Sequence, residues 1–306
     1  MRKKAVYSLV AALPSLLSRS FAELQRNDPL RMAGATAFFT IFALPPILVM
    51  LIQLLRLVLH PQFIQNKLFT SLSEMVGPQA VGQLENVLKA FSQLAQNIWV
   101  TAGGFLFLVF VATNLFTIIR HSINQIWKIK PRKRKGVLKK MNARWHAIAV
   151  ILVAGFLFLI GIIAEALQTI IGRQLFDAAP LLSFYFKTAV NYLISLVIVT
   201  LWFAIMFRYL PDGRPSWRVA FTGALLTSLL FSLGRILLRV LLSYSNLNTL
   251  YGTSASIVLL LLFVFYSSLI LYFGAAFTKM WALHRGNAIK PLPHAMHYKL
   301  VEGDEA

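Results

Sequence analysis

Three ionisable residues stand inside stretches that are otherwise apolar. Glu165 follows Ala164 and precedes Ala166 and Leu167. Arg235 and Arg239 are spaced i,i+4, so a helix places both on one face. A charge within a membrane-length apolar segment is a functional candidate, because it is costly there unless a partner or substrate offsets the cost. A basic pair of this kind suits an anionic group, with Glu165 as counter-charge. The plain alternative is a pair of arginines snorkelling to the outer headgroups. Glu165, Arg235 and Arg239 are therefore the substrate-binding candidates.

Other chemistry is poorly represented. The chain has no cysteine, which removes disulfides, thiolate metal sites and cysteine nucleophiles. The six histidines, at 60, 121, 146, 284, 294 and 297, form no ligand pattern with nearby carboxylates. His294-x-x-His297 has helical spacing, but Pro291 and Pro293 disfavour a helix there. No phosphate-binding loop, zinc-protease motif or nucleophile elbow occurs. No catalytic residue, metal or cofactor is expected, and the chain reads as a non-enzyme.

The elements that must carry the three candidates follow from composition. Of 306 residues, 58% are hydrophobic and 13% charged, and mean hydropathy is +0.69. Ordinary soluble domains hold about 45–50% apolar and about 25% charged residues. Six stretches reach the roughly 20 apolar residues that a bilayer crossing needs: 34–57, 99–119, 146–171, 188–207, 219–242 and 254–281. Each must be a helix, since backbone polar groups in lipid need partners within the segment. Pro45-Pro46 should kink or locally open the first. Val6, Leu9, Val10, Leu13, Leu16, Leu17, Phe21 and Leu24 recur at helical spacing, which predicts an amphipathic surface helix. Asn27-Asp28-Pro29 reads as a turn into the next helix. Leu84, Val87, Leu88, Phe91 and Leu94 predict a second amphipathic element in the first outer loop. The expected fold is all-α: one polytopic membrane domain over residues 1–306, with an arm at 1–31, six transmembrane helices over 34–281, and a tail at 282–306.

Charge sets the expected orientation. Lys and Arg number 30 against 10 Asp and Glu, a formal net of +20. With the N-terminus inside, 23 of those 30 cations fall on the cytoplasmic side and only 4 on the outer side. That asymmetry predicts both termini in the cytoplasm. Trp127, Trp145, Trp202, Trp217 and Trp281 fall near the same ends, as an interfacial belt would. The run Lys128–Arg144 then reads as an orientation signal in contact with anionic headgroups, and no nucleic-acid partner is expected. Asn114 and Asn191 read as helix–helix hydrogen-bonding groups, and the span glycines, Gly223 and Gly274 among them, as close-packing points.

Several motifs occur in a fixed order across the six spans. Asp28 precedes Ala33-Gly34-Ala35-Thr36-Ala37-Phe38-Phe39 and then Leu44-Pro45-Pro46. Tyr209-Leu210-Pro211-Asp212, Trp217 and Gly223-Ala224 follow, then Leu250-Tyr251-Gly252, Tyr266 and Gly274-Ala275. In this order the chain resembles the YihY/BrkB family of bacterial inner-membrane proteins, which includes those designated UPF0761 and once carried a ribonuclease BN label. The resemblance covers most of the chain. One departure is Ala276, where similar proteins commonly carry an acid. The resemblance implies a polytopic helical protein of the inner membrane without supplying an activity. RNA hydrolysis would need placed acid–base groups or metal ligands, whereas the cytoplasmic loops offer almost only Lys and Arg, with Asp212 alone between the fourth and fifth spans. The preferred reading is transport or flipping of an anionic amphiphile such as an envelope lipid. A structural or regulatory membrane partner without a substrate comes next, and a membrane-bound ribonuclease last.

Overall fold

The computed structural model describes residues 2–55, 69–70, 73, 81–82, 84–86, 98–132, 160, 180–244 and 255–298. Six long helices dominate: α1 Arg2–Gln25, α2 Pro29–Leu55, α3 Ile98–Ile126, α4 Pro180–Tyr209, α5 Trp217–Tyr244 and α6 Ala255–His284. Tyr192–Tyr209, Trp217–Leu238 and Ile257–His284 are long and apolar enough to cross a membrane, matching the fourth, fifth and sixth expected spans. Helices α2 and α3 lie where the first two were expected. The third falls outside the described residues apart from Ile160, which is helical. Helix α2 runs on through Pro45-Pro46, with Pro45 buried.

Helix α6 is central. It packs against α1, α2, α3 and α5, while α4 packs on α5 and α2 on α3. Its approach to α5 depends on a reciprocal glycine–threonine pairing. Gly223 and Thr227 lie one turn apart on α5, as do Gly274 and Thr278 on α6. A Cβ on Gly223 would strike Thr278 Oγ1, and one on Gly274 would strike Thr227 Oγ1. Each threonine satisfies its own hydroxyl by donating to the carbonyl of the glycine four residues earlier, at 2.7 Å. Small residues thus let two backbones approach closely, as the sequence suggested. Thr200 and Ser228 tie α4 to α5 by a hydroxyl–hydroxyl bond of 2.7 Å. The hydroxyls of Thr36 on α2 and Tyr272 on α6 also hydrogen-bond inside the bundle.

The densest core lies where α3, α4 and α6 finish. Ile123, Ile126, Trp127, Ile129, Phe207, Tyr272 and Phe277 are all fully buried there. This basic end also holds two short antiparallel ladders that an all-helical expectation omits. Strand β1, Ile129–Pro131, pairs with β4, Ala295–His297, in register Ile129↔His297. Strand β2, Gly213–Arg214, pairs with β3, Lys290–Pro291. The segment after α6 is therefore folded back onto the bundle over residues 285–298, where the sequence suggested only a tail. The histidine pair is not helical, as the prolines implied: His294 sits in a turn and His297 in β4.

Helix α1 covers the expected stretch, and its side chains are described from residue 12 onward. Leu16, Ser20 and Leu24 are buried, whereas Leu13 and Phe21 are exposed. Asn27-Asp28 makes the predicted turn, with Asp28 at φ 52 and α2 starting at Pro29. Between α2 and α3, residues 81–82 and 84–86 are helical with Val81 and Leu84 buried, and 87–94 lie outside the described residues.

Candidate functional site

Two polar clusters stand out, one at each level of the bundle. The first is centred on Asp212, in the turn between α4 and α5. Gly213 presses this turn against the core: a Cβ there would lie 2.9 Å from Ile289 Cγ2 and 3.0 Å from Trp127 Cε3. Only a glycine fits such an approach. The Asp212 side chain is 3% exposed and pairs with Arg120 of α3, itself 18% exposed. Asn124, one turn further along α3, brackets the same residue. Its Nδ2 donates to Asp212 Oδ2 at 2.8 Å, and its Oδ1 accepts from the Asp212 backbone N–H at 2.8 Å. His294 Nε2 lies 2.9 Å from Asp212 Oδ1, and the Asp212 carbonyl accepts from Leu292 N–H at 2.8 Å. Burial alone would raise the Asp212 pKa. The hydrogen bond and charge of Arg120, helped by His294 and Asn124, outweigh it and hold the carboxyl below its ordinary value.

A second bracket lies beside it. Lys279 Nζ on α6 donates to Glu23 Oε1 of α1 at 2.6 Å and to the Ile126 carbonyl at 2.7 Å. Lys128, at φ 54 just past α3, donates to Asn27 Oδ1 at 3.0 Å. Burial lowers the Lys128 pKa against the pull of Glu23, and Lys279 and Arg26 add to the depression. Trp127 donates its indole N–H to the Ala275 carbonyl at 2.9 Å.

These contacts correct parts of the sequence reading. Trp127 and Trp281 are buried in the bundle rather than presented on its surface, while Trp217 is exposed. Arg120, Lys128 and Lys279, counted as surface orientation charges, are bound within the polar brackets. Sequence reasoning missed Arg120, Asn124 and His294 as partners of Asp212. The available signal was the lone acid in a short loop carrying Arg208, Arg214 and Arg218.

The second cluster lies deep in the bundle, away from the basic end. Arg235 of α5 is half-buried, whereas Leu233, Ile236 and Leu237 beside it are exposed. It therefore sits on the flank of α5 that meets α6, within electrostatic reach of Tyr266. Gly234 makes room for that tyrosine, since a Cβ there would lie 2.8 Å from Tyr266 Cε2. Phe231, Phe263 and Tyr266 form an edge-to-face row with centroid spacings of 6.2 and 5.4 Å. Tyr266 Oη and Ser267 Oγ are both buried and lie close to each other, but neither has a hydrogen bond of ordinary geometry. Neither hydroxyl stands out in the sequence as a binding group; Tyr266 enters there only through the family motif.

Of the other residues singled out, Glu165, Tyr251 and Gly252 lie outside the described residues, as do the side chains of Arg239, Pro46 and Asn191. Asp28 makes a surface pair with Arg31 at 3.4 Å. Pro211 is buried, Tyr209 is exposed on the turn beside Asp212, and Asn114 is half-buried. Ala276, the departure from the family pattern, is fully buried. Among the described residues no group of three His, Asp or Glu side chains is arranged to hold a metal.

A match to the family described as "Virulence factor BrkB" covers residues 20–299. A UPF0761 membrane protein of Chromohalobacter salexigens is 27% identical over 267 residues, 85% of this chain and 62% of its own. One from Stenotrophomonas maltophilia is 29% identical over 262 residues, 83% of this chain and 57% of its own. One from Pseudomonas paraeruginosa is 24% identical over 246 residues, 79% and 57% respectively. The chain thus spans about 60% of the length of the curated relatives it matches. No solved structure matches.

Proposed function

This chain belongs to the BrkB family of membrane proteins, and from that premise we propose that it moves an anionic amphiphile across the bacterial inner membrane, with no enzymatic step. The observation that carries the reading is the deep cluster. Two buried hydroxyls, Tyr266 and Ser267, have no hydrogen bond of ordinary geometry and only each other close by, and a half-buried Arg235 stands within electrostatic reach. An unsatisfied buried hydroxyl costs about 1–3 kcal/mol, and an intramembrane arginine needs an anion or a route to water. A phosphate or carboxylate headgroup meets both needs, accepting from the hydroxyls and offsetting the guanidinium. Glu165 and Arg239 are proposed to share that function, and the orientation has both termini in the cytoplasm, where the basic segments meet anionic headgroups.

The scaffold reading draws support from the basic end, where Asp212, Lys279 and Lys128 are all engaged by protein partners. A functional assay separates the two. Purified protein is reconstituted in proteoliposomes containing fluorescent phosphatidylglycerol, and its redistribution between leaflets is followed. Wild type should accelerate it over empty liposomes, and Arg235→Met and Tyr266→Phe should each slow it at least several-fold. Wild type indistinguishable from empty liposomes across anionic lipids removes the transport reading.

A further inference from the structure

The turn between α4 and α5 carries a second, outward-facing array of groups that the Asp212 bracket does not use. Arg208, in the last turn of α4, stacks its guanidinium over the Trp217 ring at 4.6 Å and donates Nη1 to the Pro215 carbonyl. Its Nε is buried without a hydrogen-bond partner. Arg214 lies 5.9 Å from the Tyr209 ring centroid and is exposed in β2, opposite exposed Lys290 of β3. Arg218 is exposed in the first turn of α5. The aromatic rings beneath these cations form a chain, Tyr209 to Trp217 at 6.0 Å and Trp217 to Phe221 at 5.6 Å, and stay 44%, 41% and 39% exposed. Asp212, the nearest acid in sequence, points its carboxylate inward to Arg120 and His294. Among the described residues, no carboxylate forms an ion pair with Arg208, Arg214 or Arg218.

We infer that this turn is a binding site for one anionic glycerophospholipid of the adjoining leaflet, its phosphodiester held by Arg208, Arg214 and Arg218. Three features select a lipid over a free anion. The cations stand at the end of two membrane-length helices, where headgroups lie. Tyr209 and Trp217 offer the amphipathic rings that settle at headgroup depth, and cation–π stacking holds Arg208 flat against one of them. Below Phe221, the exposed side chains Leu225, Leu229 and Leu233 continue at i,i+4 spacing along α5, forming an apolar track for an acyl chain directly under the cations. The open first turn of α5 adds a favourable dipole for the same anion. This site does not depend on whether the deep Arg235–Tyr266 cluster carries a substrate.

The test is native mass spectrometry of the purified 306-residue protein, delipidated in a nonionic detergent and titrated with phosphatidylglycerol or phosphatidylcholine. Wild type should bind one phosphatidylglycerol at least tenfold more tightly than phosphatidylcholine. Each removed cation should weaken that binding about fivefold, so Arg214→Gln with Arg218→Gln should weaken it about 25-fold. Both side chains are exposed, so the double variant should melt with wild type in lipid-free detergent, which separates lost binding from lost folding. The site is overturned if the 214/218 variant keeps wild-type affinity or if phosphatidylcholine binds equally well. It is likewise overturned if about 10 mM inorganic phosphate displaces the lipid, as it would from a simple anion site.

Discussion

Replacing Asp212 by asparagine keeps the shape of the side chain and removes only its charge and one acceptor, so its cost can be worked from neighbouring donors. Asp212 Oδ1 receives Arg120 and His294, and Oδ2 receives Asn124 Nδ2. An amide NH2 in either position therefore meets a donor. Flipping Asn124 does not help, because its Oδ1 is already committed to the backbone N–H of residue 212. One charge-assisted bond is lost and one donor is left unsatisfied in a site where the carboxylate is 3% exposed, which together cost about 3 kcal/mol. At about 2–4 °C per kcal/mol this is a fall in Tm of about 6–12 °C, read by intrinsic fluorescence of purified protein in detergent. Adding Asn124→Asp restores every bond: the new carboxylate accepts from the residue-212 N–H and from the asparagine NH2, while the asparagine carbonyl keeps Arg120 and His294. The double variant should recover about 2 kcal/mol of that loss, a coupling that distant sites do not show. A single variant that melts within about 1 °C of wild type, or a double variant no better than the single, would refute the bracket as drawn.

Further outcomes follow from the same contacts. The depressed Asp212 pKa means the folded state holds fewer protons than the unfolded chain just below the ordinary carboxylate range. Its stabilisation is thus complete above that range and is lost as pH falls through the folded value, so Tm of Asp212→Asn should fall less steeply than wild type on acidification. Gly223→Ala should cost about 1–3 kcal/mol through its clash with Thr278, and Thr278→Ala should relieve part of it, both read by thermal melts. Trp127→Phe removes the buried indole bond to the Ala275 carbonyl and leaves a void, lowering stability by about 2 kcal/mol in the same assay. Tyr266→Phe should behave differently: deleting a poorly paired hydroxyl should leave Tm of lipid-free protein within about 2 °C of wild type while slowing lipid redistribution.

Local signals in the sequence were enough where the physics is local. The apolar lengths of α4, α5 and α6, the turn at Asn27-Asp28-Pro29 and the packing roles of Gly223 and Gly274 all rest on a few neighbouring residues. Pairings across the fold left no such trace. Arg120 and Asp212 are 92 residues apart, and Lys279 and Glu23 are 256 apart. Nothing in spacing links them, so Arg120 and Lys279 read as orientation charges. Trp127 shows the same problem: position at a helix end does not tell whether the ring faces lipid or α6. Strands β1 to β4, at two or three residues each, are too short for alternation to register.

The polar groups divide the molecule into two regimes. At the basic end, Asp212, Lys279 and Lys128 are bound by groups from α1, α3, α6 and the segment after α6, and Gly213 leaves no slack beneath the turn. Moving any of these helices there breaks charge-assisted bonds in buried surroundings, which makes this end the fixed frame. Deeper in the bundle, α5 and α6 separate their polar groups from such partners: the Tyr266 and Ser267 hydroxyls have only each other, in poor geometry, and Arg235 is half-buried. A region that holds unsatisfied groups gains more from a bound anion, or from opening, than one whose groups are already paired. Motion between α5 and α6 should therefore be hinged at the Gly223–Thr278 contact and largest beyond Arg235. Hydrogen exchange would show it as slow amides around Thr227 and Thr278 and faster ones past residue 235, with phosphatidylglycerol slowing the latter. Equal protection along the whole of α5 would contradict a hinge at the basic end.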